Sequence, residues 1–236
     1  MPISYADACS TILGEPSAIL YLDTCVFLDI VRSPVRESID SNSARFAKSL
    51  IERTISNPRA LWLITSATVA MEWVENIDDV LEEVERETLK LESRRRHFLS
   101  AAEEVTGAHY QHGQIESAID LANKLKFASK SLLDACTIIS PEDAHMVGAM
   151  NRVKQYLPPA KRGKAEPKDC EIYELFLGLC QDLRAGGIIE NFVFCSSNTK
   201  EYGSENSGGI EPELTTLSAK YTTKLAWAEA ILDGRA

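Results

Sequence analysis

Acidic and amide side chains stand at four places in this 236-residue chain where an apolar run ends or a helix begins. The candidates are Asp23, Glu72 and Asp169, together with Ser196 and Asn198. Carboxylates that lie close together repel one another unless a cation neutralises them, and their oxygens suit Mg²⁺ or Mn²⁺. The chemistry that uses such a site is phosphodiester hydrolysis, in which an ion activates water and stabilises the developing charge.

Short apolar runs predict the strands that must position these groups. The runs are 18–22, 61–65 ("LWLIT") and 191–195 ("NFVFC"), with a weaker fourth strand candidate at 210–217. Continuous apolar runs are typical of parallel strands that are covered on both faces. Asp23 follows the first run directly, and Glu72 lies in the helix after the second. Ser196 and Asn198 follow the third run, and ligands bind beyond the carboxyl ends of parallel strands, so we expect one shared rim.

Helical patterns fill the intervals between these runs. Residues 74–91 form a glutamate-rich amphipathic pattern, and "DCEIYELFLGLCQDLRAGG" opens with Asp169 and closes with Gly186 and Gly187. Further stripes run through Ile115, Ile119 and Leu125 and through Leu132, Leu133 and Thr137. Strands that alternate with helices predict an α/β/α sandwich around a mainly parallel sheet.

Each candidate side chain also has a purely structural explanation. Asp23 and Asp169 could cap the helices that they precede, because aspartate favours the N-cap position. Glu72 could be an acid favoured by the dipole of its helix, and the "SSN" segment could be a turn. A metal site is favoured over these explanations only because several carboxylates are expected at the same edge of the sheet.

Composition limits the classes of protein to which the chain could belong. A hydrophobic fraction of 44% allows a full core, and the length fits one domain. No apolar run is long enough for a transmembrane helix, and the first ten residues lack signal-peptide character. The six cysteines are scattered, so we expect no disulfide framework and a cytoplasmic location. The net charge of −10 argues against a general nucleic-acid coat protein but not against a nuclease.

Four motifs resemble those of the PIN-domain ribonucleases, in particular a larger bacterial branch of that family. They are "YLDTCVFLD", "TVAMEW", "KDCEIYE" and "FCSSNTKEY", which occur in this order between residues 18 and 202. The first and last are the most specific, whereas "TVAMEW" alone is weak. The resemblance implies one PIN-like domain over residues 1–236 and metal-dependent cleavage of RNA, typically single-stranded.

The resemblance also implies roles for individual residues, with three departures from the family pattern. Asp23, Glu72 and Asp169 would hold Mg²⁺ or Mn²⁺, Asn198 would complete the pocket, and Ser196 would orient a ligand or water. Cys25 stands where the family commonly has Asn or Ser, which weakens hydrogen bonding beside Asp23. Asn198 replaces an aspartate and lowers the negative charge, for which Glu201 could compensate unless it is simply exposed. The long interval before Asp169 predicts a helical insertion at about 75–155.

A basic loop lies just upstream of Asp169 and is the candidate for contact with substrate phosphates. Its cationic residues are Lys161, Arg162, Lys164 and Lys168. Beside a catalytic pocket they could hold the scissile strand. A solvated loop is the alternative, and the two interpretations stay equally open. The expected partners are RNA, a protein inhibitor such as an antitoxin, and a second copy of the chain in a homodimer.

Other chemistries find less support in the sequence. His109 and His112 have no third ligand at suitable spacing for a metal, and no glycine-rich nucleotide-binding motif is present. The leading hypothesis is therefore a metal-dependent endoribonuclease that acts as a toxin or defence effector. Three alternatives remain: a DNA-directed or structure-specific nuclease, a non-catalytic binding module within a toxin–antitoxin or defence complex, and an α/β protein with a purely structural role.

Overall fold

A five-stranded parallel sheet forms the centre of the computed structural model, which describes residues 1–57, 61–109, 120–206 and 208–235. The strands are β1 Ala18–Leu22, β2 Leu61–Ser66, β3 Thr137–Ile139, β4 Phe192–Cys195 and β5 Ala219–Thr222. Their order is β3-β2-β1-β4-β5, and every neighbouring pair is parallel. Strands β2 and β3 are added on one side of β1, and the chain then returns to add β4 and β5 on the other side of β1. The strand order therefore reverses between β1 and β4.

Helices cover both faces of the sheet. Within the described ranges they are α1 Tyr5–Gly14, α2 Thr24–Arg32, α3 Ser43–Ser56, α4 Ala67–Thr106, α5 Leu121–Ala135, α6 Asp143–Gln155, α7 Pro167–Ala185, α8 Thr199–Tyr202, α9 Glu211–Thr216 and α10 Leu225–Leu232. Helices α2, α3 and α5 pack together, whereas α7 packs with α1 and α6. The predicted three-layer α/β/α sandwich is confirmed.

The apolar sequence of the strands explains why they occupy the centre. All four residues of β4 are buried, as are all but the first residue of β1. Below the carboxyl end of β4, the Phe194 ring packs edge-on against Tyr202 and against Tyr173. The Tyr221 hydroxyl donates to the carbonyl oxygens of Ser196 and Gly203, each at 3.0 Å. These aromatic contacts hold the segment after β4 firmly on the sheet.

Three boundaries differ from the sequence-based predictions. The weak strand candidate at 210–217 is wrong, because α9 begins there with a proline in its first turn and acidic residues that favour a helix start. The adjacent β5 is the strand of this region. The stripe through Thr137 is also broken, since α5 ends at Ala135 and Thr137 begins β3. Helix α7 starts at Pro167 with Glu166 as its N-cap, so Asp169 lies inside the first turn.

The predicted insertion at 75–155 includes most of α4 together with α5 and α6. It also includes β3, which pairs with β2, so these three residues belong to the sheet itself. The buried side chains of α4 end at Val84, and the remainder of this 40-residue helix extends beyond the core. The residues Ile115, Ile119 and His112 of the predicted patterns lie outside the described residues. In the described part of the chain, no helix is long and apolar enough to cross a membrane.

Candidate active site

Asp23 lies at the carboxyl end of β1 and at the N-cap position of α2, yet its side chain makes no capping hydrogen bond. The residue is only 3% exposed. Its Oδ2 accepts hydrogen bonds from the Ser196 hydroxyl at 2.7 Å and from the Cys25 thiol at 3.1 Å. The aspartate therefore contacts both the turn after β4, where the sheet order reverses, and Cys25 in the first turn of its own helix. This position at the reversal is where open α/β sheets bind ligands.

The turn after β4 is fixed by a chain of hydrogen bonds around Ser196, which is fully buried. The Ser196 N–H donates to the Thr222 carbonyl at 3.0 Å, and the Ser196 hydroxyl accepts from the Asn198 N–H at 3.2 Å. The hydroxyl thus joins the turn to Asp23. Sequence reasoning expected Ser196 to orient a ligand or water, and in the structure the group that it contacts is Asp23.

Cys25 takes part in this network although it departs from the family pattern. Its sulfur lies 3.3 Å from the Ser196 hydroxyl and accepts the Ser197 N–H at 3.0 Å, in addition to its contact with Asp23. Sulfur is a weak donor and acceptor, so these bonds are weaker than those of a hydroxyl or an amide. The thiol still occupies the place of a polar side chain and connects the start of α2 with the turn after β4.

Glu72 comes from the second turn of α4 and reaches the same edge of the sheet. Its Oε2 accepts the Thr24 hydroxyl at 2.5 Å, which ties α4 to the first residue of α2. Its Oε1 lies 3.7 Å from the Lys168 ammonium. Sequence reasoning did not identify Thr24, although this residue follows Asp23 in the first motif.

Asp169 approaches from the first turn of α7. Its Oδ2 accepts the Asn198 side-chain amide at 3.3 Å, and its backbone carbonyl accepts the Tyr202 hydroxyl at 3.3 Å. Asp169 and Asn198 are thus in direct contact. Together the two contacts fasten α7 to the segment after β4.

The three carboxyl groups are close enough to influence one another electrostatically. Burial raises the pKa of Asp23, and hydrogen bonds from Ser196 and Cys25 oppose this only in part. Burial also raises the pKa of Glu72, to which the negative charge of Asp23 adds. Burial and then the charges of Asp23 and Glu72 raise the pKa of Asp169 to about 8. Three segments distant in sequence therefore place mutually repelling acids in one partly buried region.

This region fits a divalent cation in donor type and in charge. Carboxylate oxygens with an amide oxygen are hard ligands of the kind that Mg²⁺ and Mn²⁺ prefer, and a cation would relieve the repulsion at Asp169. Across the described ranges, no three His, Cys, Asp or Glu side chains are placed to hold an ion together. Closure of the carboxylates around an ion would therefore require movement of side chains.

The lysines of the basic loop are engaged with acidic residues. Lys164 contacts Glu201 and lies 2.7 Å from Glu166, and Lys161 lies 3.4 Å from Glu201. Lys168 pairs with Glu75 at 2.9 Å. Lys168 also lies 3.7 Å from Glu72, so it is next to the acidic region.

Glu201 and Arg162 differ from the other charged residues near the loop. Glu201 is 6% exposed; burial raises its pKa, but the hydrogen bonds from Lys164 and Lys161 outweigh this and leave it below its usual value. The alternative that Glu201 is simply exposed is therefore wrong. Arg162 is exposed and forms no ion pair with any described residue.

Asp29 is a further acidic residue beside the site that sequence reasoning missed. Its Oδ2 accepts the Ser197 hydroxyl at 2.5 Å, and burial raises its pKa. The residue lies six positions after Asp23, inside the quoted motif "YLDTCVFLD". The position of Asp29 within the apolar sequence of α2 could have identified it as a candidate, because a buried carboxylate requires a partner.

Comparison with known proteins gives one match. A family model described as a PIN domain matches residues 20–202, which is more than half of the chain. No curated protein and no solved structure matches the chain. The matched range begins in β1 and ends in α8, so it includes all four segments that form the acidic region.

Proposed function

Because the chain belongs to the PIN domain family, a nuclease-type fold, we propose that it is a metal-dependent endoribonuclease acting on single-stranded RNA. The observation that carries this proposal is the placement of Asp23, Glu72 and Asp169 at the reversal of the strand order, where the charges of Asp23 and Glu72 add to the raised pKa of Asp169. Structural acids normally acquire hydrogen-bonding or cationic partners that lower their pKa, whereas acids at functional sites are often perturbed in this way.

In this proposal Asp23, Glu72 and Asp169 hold a Mg²⁺ or Mn²⁺ ion, and Asn198 completes the set of ligands. A divalent ion at such a site supplies a nucleophile at neutral pH and stabilises the charge that develops on a phosphate. Ser196 positions Asp23 through the 2.7 Å hydrogen bond, and Thr24 positions Glu72 in the same way.

The phosphate backbone of the substrate must approach a protein whose net charge is −10, so local cations are needed. The loop residues Lys161, Arg162, Lys164 and Lys168 are proposed to contact phosphates. Lys168 is the nearest of them to the acidic region because of its 3.7 Å approach to Glu72. Binding of a phosphate would compete with the existing lysine–glutamate pairs.

The cellular setting belongs to the same proposal. All six cysteines are free, which suits a reducing cytoplasm. Activity as a toxin or defence effector would require a protein inhibitor such as an antitoxin. A homodimer is the proposed assembly.

The test is cleavage of single-stranded RNA by the wild-type protein and by Asp23→Asn. We expect cleavage with Mn²⁺ or Mg²⁺, none with EDTA, and a loss of at least 100-fold in Asp23→Asn. Asp79→Asn is the matched control, because Asp79 is exposed on α4 and its replacement removes the same negative charge. Parallel assays on single-stranded DNA and flapped duplexes identify a DNA-directed enzyme. Cleavage that persists in EDTA or in Asp23→Asn would refute the mechanism.

A non-catalytic binding module is the second candidate, and it is favoured because no three acidic, His or Cys side chains in the described ranges are placed to hold an ion together. Such a module would keep the fold and would associate with a protein or RNA without an ion. Titration calorimetry with Mn²⁺ separates the two functions. Mn²⁺ binding by the wild-type protein that is lost in Asp169→Asn supports the nuclease function. Absence of Mn²⁺ binding in the wild-type protein supports the binding module.

A further inference from the structure

A cleft of about 530 Å³ opens beside the acidic region, at the turn after β4. Its walls come from α2 and the segment after it, from α3, from the turn after β4 and from the start of α10. We call it the α2–α10 cleft. Cys25 and Asn198 line it, and these residues contact Asp23 and Asp169 respectively. The cleft is therefore continuous with the candidate active site.

Cations outnumber acids among the residues that line this cleft. Its charged residues are Arg32, Arg36, Lys200, Lys224, Asp29 and Asp40, which are four cations and two acids. This excess is a local exception in a chain with a net charge of −10. A polyanion that reaches the acidic region would meet favourable potential on this side.

The two lysines of the α2–α10 cleft differ from those of the basic loop in having no acidic partner. Lys200 and Lys224 are exposed, and neither forms an ion pair with the residues that the structure describes. Three of the four cations of the basic loop are paired with glutamates, as described above. A phosphate at Lys200 or Lys224 would therefore displace no existing ion pair.

The arginines of the cleft are pre-positioned by one acid. Glu83 of α4 accepts from Arg36 Nε at 2.7 Å and from Arg36 Nη2 at 2.8 Å, and it accepts from Arg32 Nε at 3.2 Å. A guanidinium group carries five donors, so both side chains keep N–H groups for a second partner. Because Glu83 already holds both arginine side chains in place, they lose less rotamer freedom when a phosphate binds.

We propose that the α2–α10 cleft binds the nucleotide next to the scissile phosphate, with Lys200 and Lys224 on its phosphate. This inference rests on the proposed nuclease function and assigns the side of the acidic region on which the strand continues. The cleft volume lies in the range of about 300–1,000 Å³ typical of small-ligand pockets, which leaves room for one nucleotide. Half-buried Phe46 and Ile39 line its wall and offer apolar surface to a base.

The experiment measures binding of a short fluorescent single-stranded RNA to catalytically inactive Asp23→Asn protein by anisotropy. In this background we add the double substitution Lys200→Ala with Lys224→Ala. Loss of both lysines from this one phosphate should weaken binding about tenfold at about 0.15 M salt and reduce the log–log salt slope by about 0.7. Lys124→Ala is the control, since Lys124 is exposed, unpaired within the described residues and outside the cleft. It should leave the dissociation constant unchanged.

A second pair of variants separates loss of the cleft from loss of the fold. Ala226→Trp fills the cleft without a change of charge and should weaken RNA binding. Lys200→Arg with Lys224→Arg keeps both positive charges and should restore the RNA binding that the double alanine variant loses. An unchanged dissociation constant and salt slope in the double alanine variant would overturn the inference, even if wild-type protein cleaves RNA. If wild-type protein cleaves no RNA but the double variant binds RNA more weakly, the nuclease function fails and the binding cleft stands.

Discussion

Replacing Asp169 with asparagine removes one negative charge from the acidic region and keeps the size and shape of the side chain. The asparagine can still accept the hydrogen bond from Asn198 through its oxygen. Burial and the charges of Asp23 and Glu72 raise the pKa of Asp169 from 3.8 to about 8. A carboxyl group with a higher pKa in the folded chain stabilises the fold fully below about pH 4, and this contribution is lost as the pH rises through 8.

The magnitude follows from the two pKa values. Each pH unit between them corresponds to about 1.4 kcal/mol, so ionisation of Asp169 costs the folded state at most about 6 kcal/mol above pH 8. The acids titrate as a coupled set, and protons redistribute among them. We therefore expect Asp169→Asn to raise the free energy of unfolding by about 1–3 kcal/mol at pH 8 in EDTA, with a smaller gain at pH 5.

Urea unfolding at pH 5 and pH 8 in EDTA measures this difference, with Asp79→Asn as the control for an exposed aspartate. Addition of Mn²⁺ at pH 8 should stabilise the wild-type protein, because an ion that binds only the folded state shifts the equilibrium towards it. The same addition should not stabilise Asp169→Asn. An Asp169→Asn protein that is less stable than the wild type at pH 8, or that keeps the wild-type dependence on pH, would refute the electrostatic reasoning.

Two other substitutions test how the structure supports this region. Ser196→Ala should lower the free energy of unfolding by about 1–3 kcal/mol in urea titrations at pH 7, because buried Asp23 loses a hydrogen bond; unchanged stability would contradict this. Gly209→Ala should destabilise by about 2 kcal/mol or more in thermal melts, since φ is +68° and a Cβ would overlap the Tyr202 carbonyl oxygen. The control Gly208→Ala also has a positive φ but meets no atom within 4 Å, so an equal loss in both variants would exclude the overlap as the cause.

The sequence was sufficient to predict the central strands but not the edge strands. Strands β1, β2 and β4 are apolar and lie in the middle of the sheet, so burial on both faces leaves a continuous pattern. The edge strand β3 has three residues, and β5 carries an exposed lysine within "AKYT". Such short segments contain too few residues for a period to be recognised. Their pairing depends on the neighbouring strand rather than on local preference.

The order of the acidic segments could be predicted because the topology of a parallel sheet brings the strand ends together. The partners of each acid could not be predicted in the same way. Thr24 and Glu72 are 48 positions apart, and Lys164 and Glu201 are 37 positions apart. These contacts depend on the relative placement of whole helices, for which local patterns contain no information. Cys25 shows the same limit, since its residue type alone suggested a weakened site rather than a contact with three neighbours.

The balance of charge around the acids indicates how an ion would enter. Neutral donors from Ser196, Thr24 and Asn198 hold one oxygen of each carboxylate, so they orient the acids without cancelling their charge. Lys168 is the cation nearest to them, at 3.7 Å from Glu72, and it is shared with Glu75. An arriving divalent ion would compete with this lysine and with the proton on Asp169. Proton release from Asp169 near pH 8 would then strengthen binding of the ion, because metal and proton compete for the same oxygen.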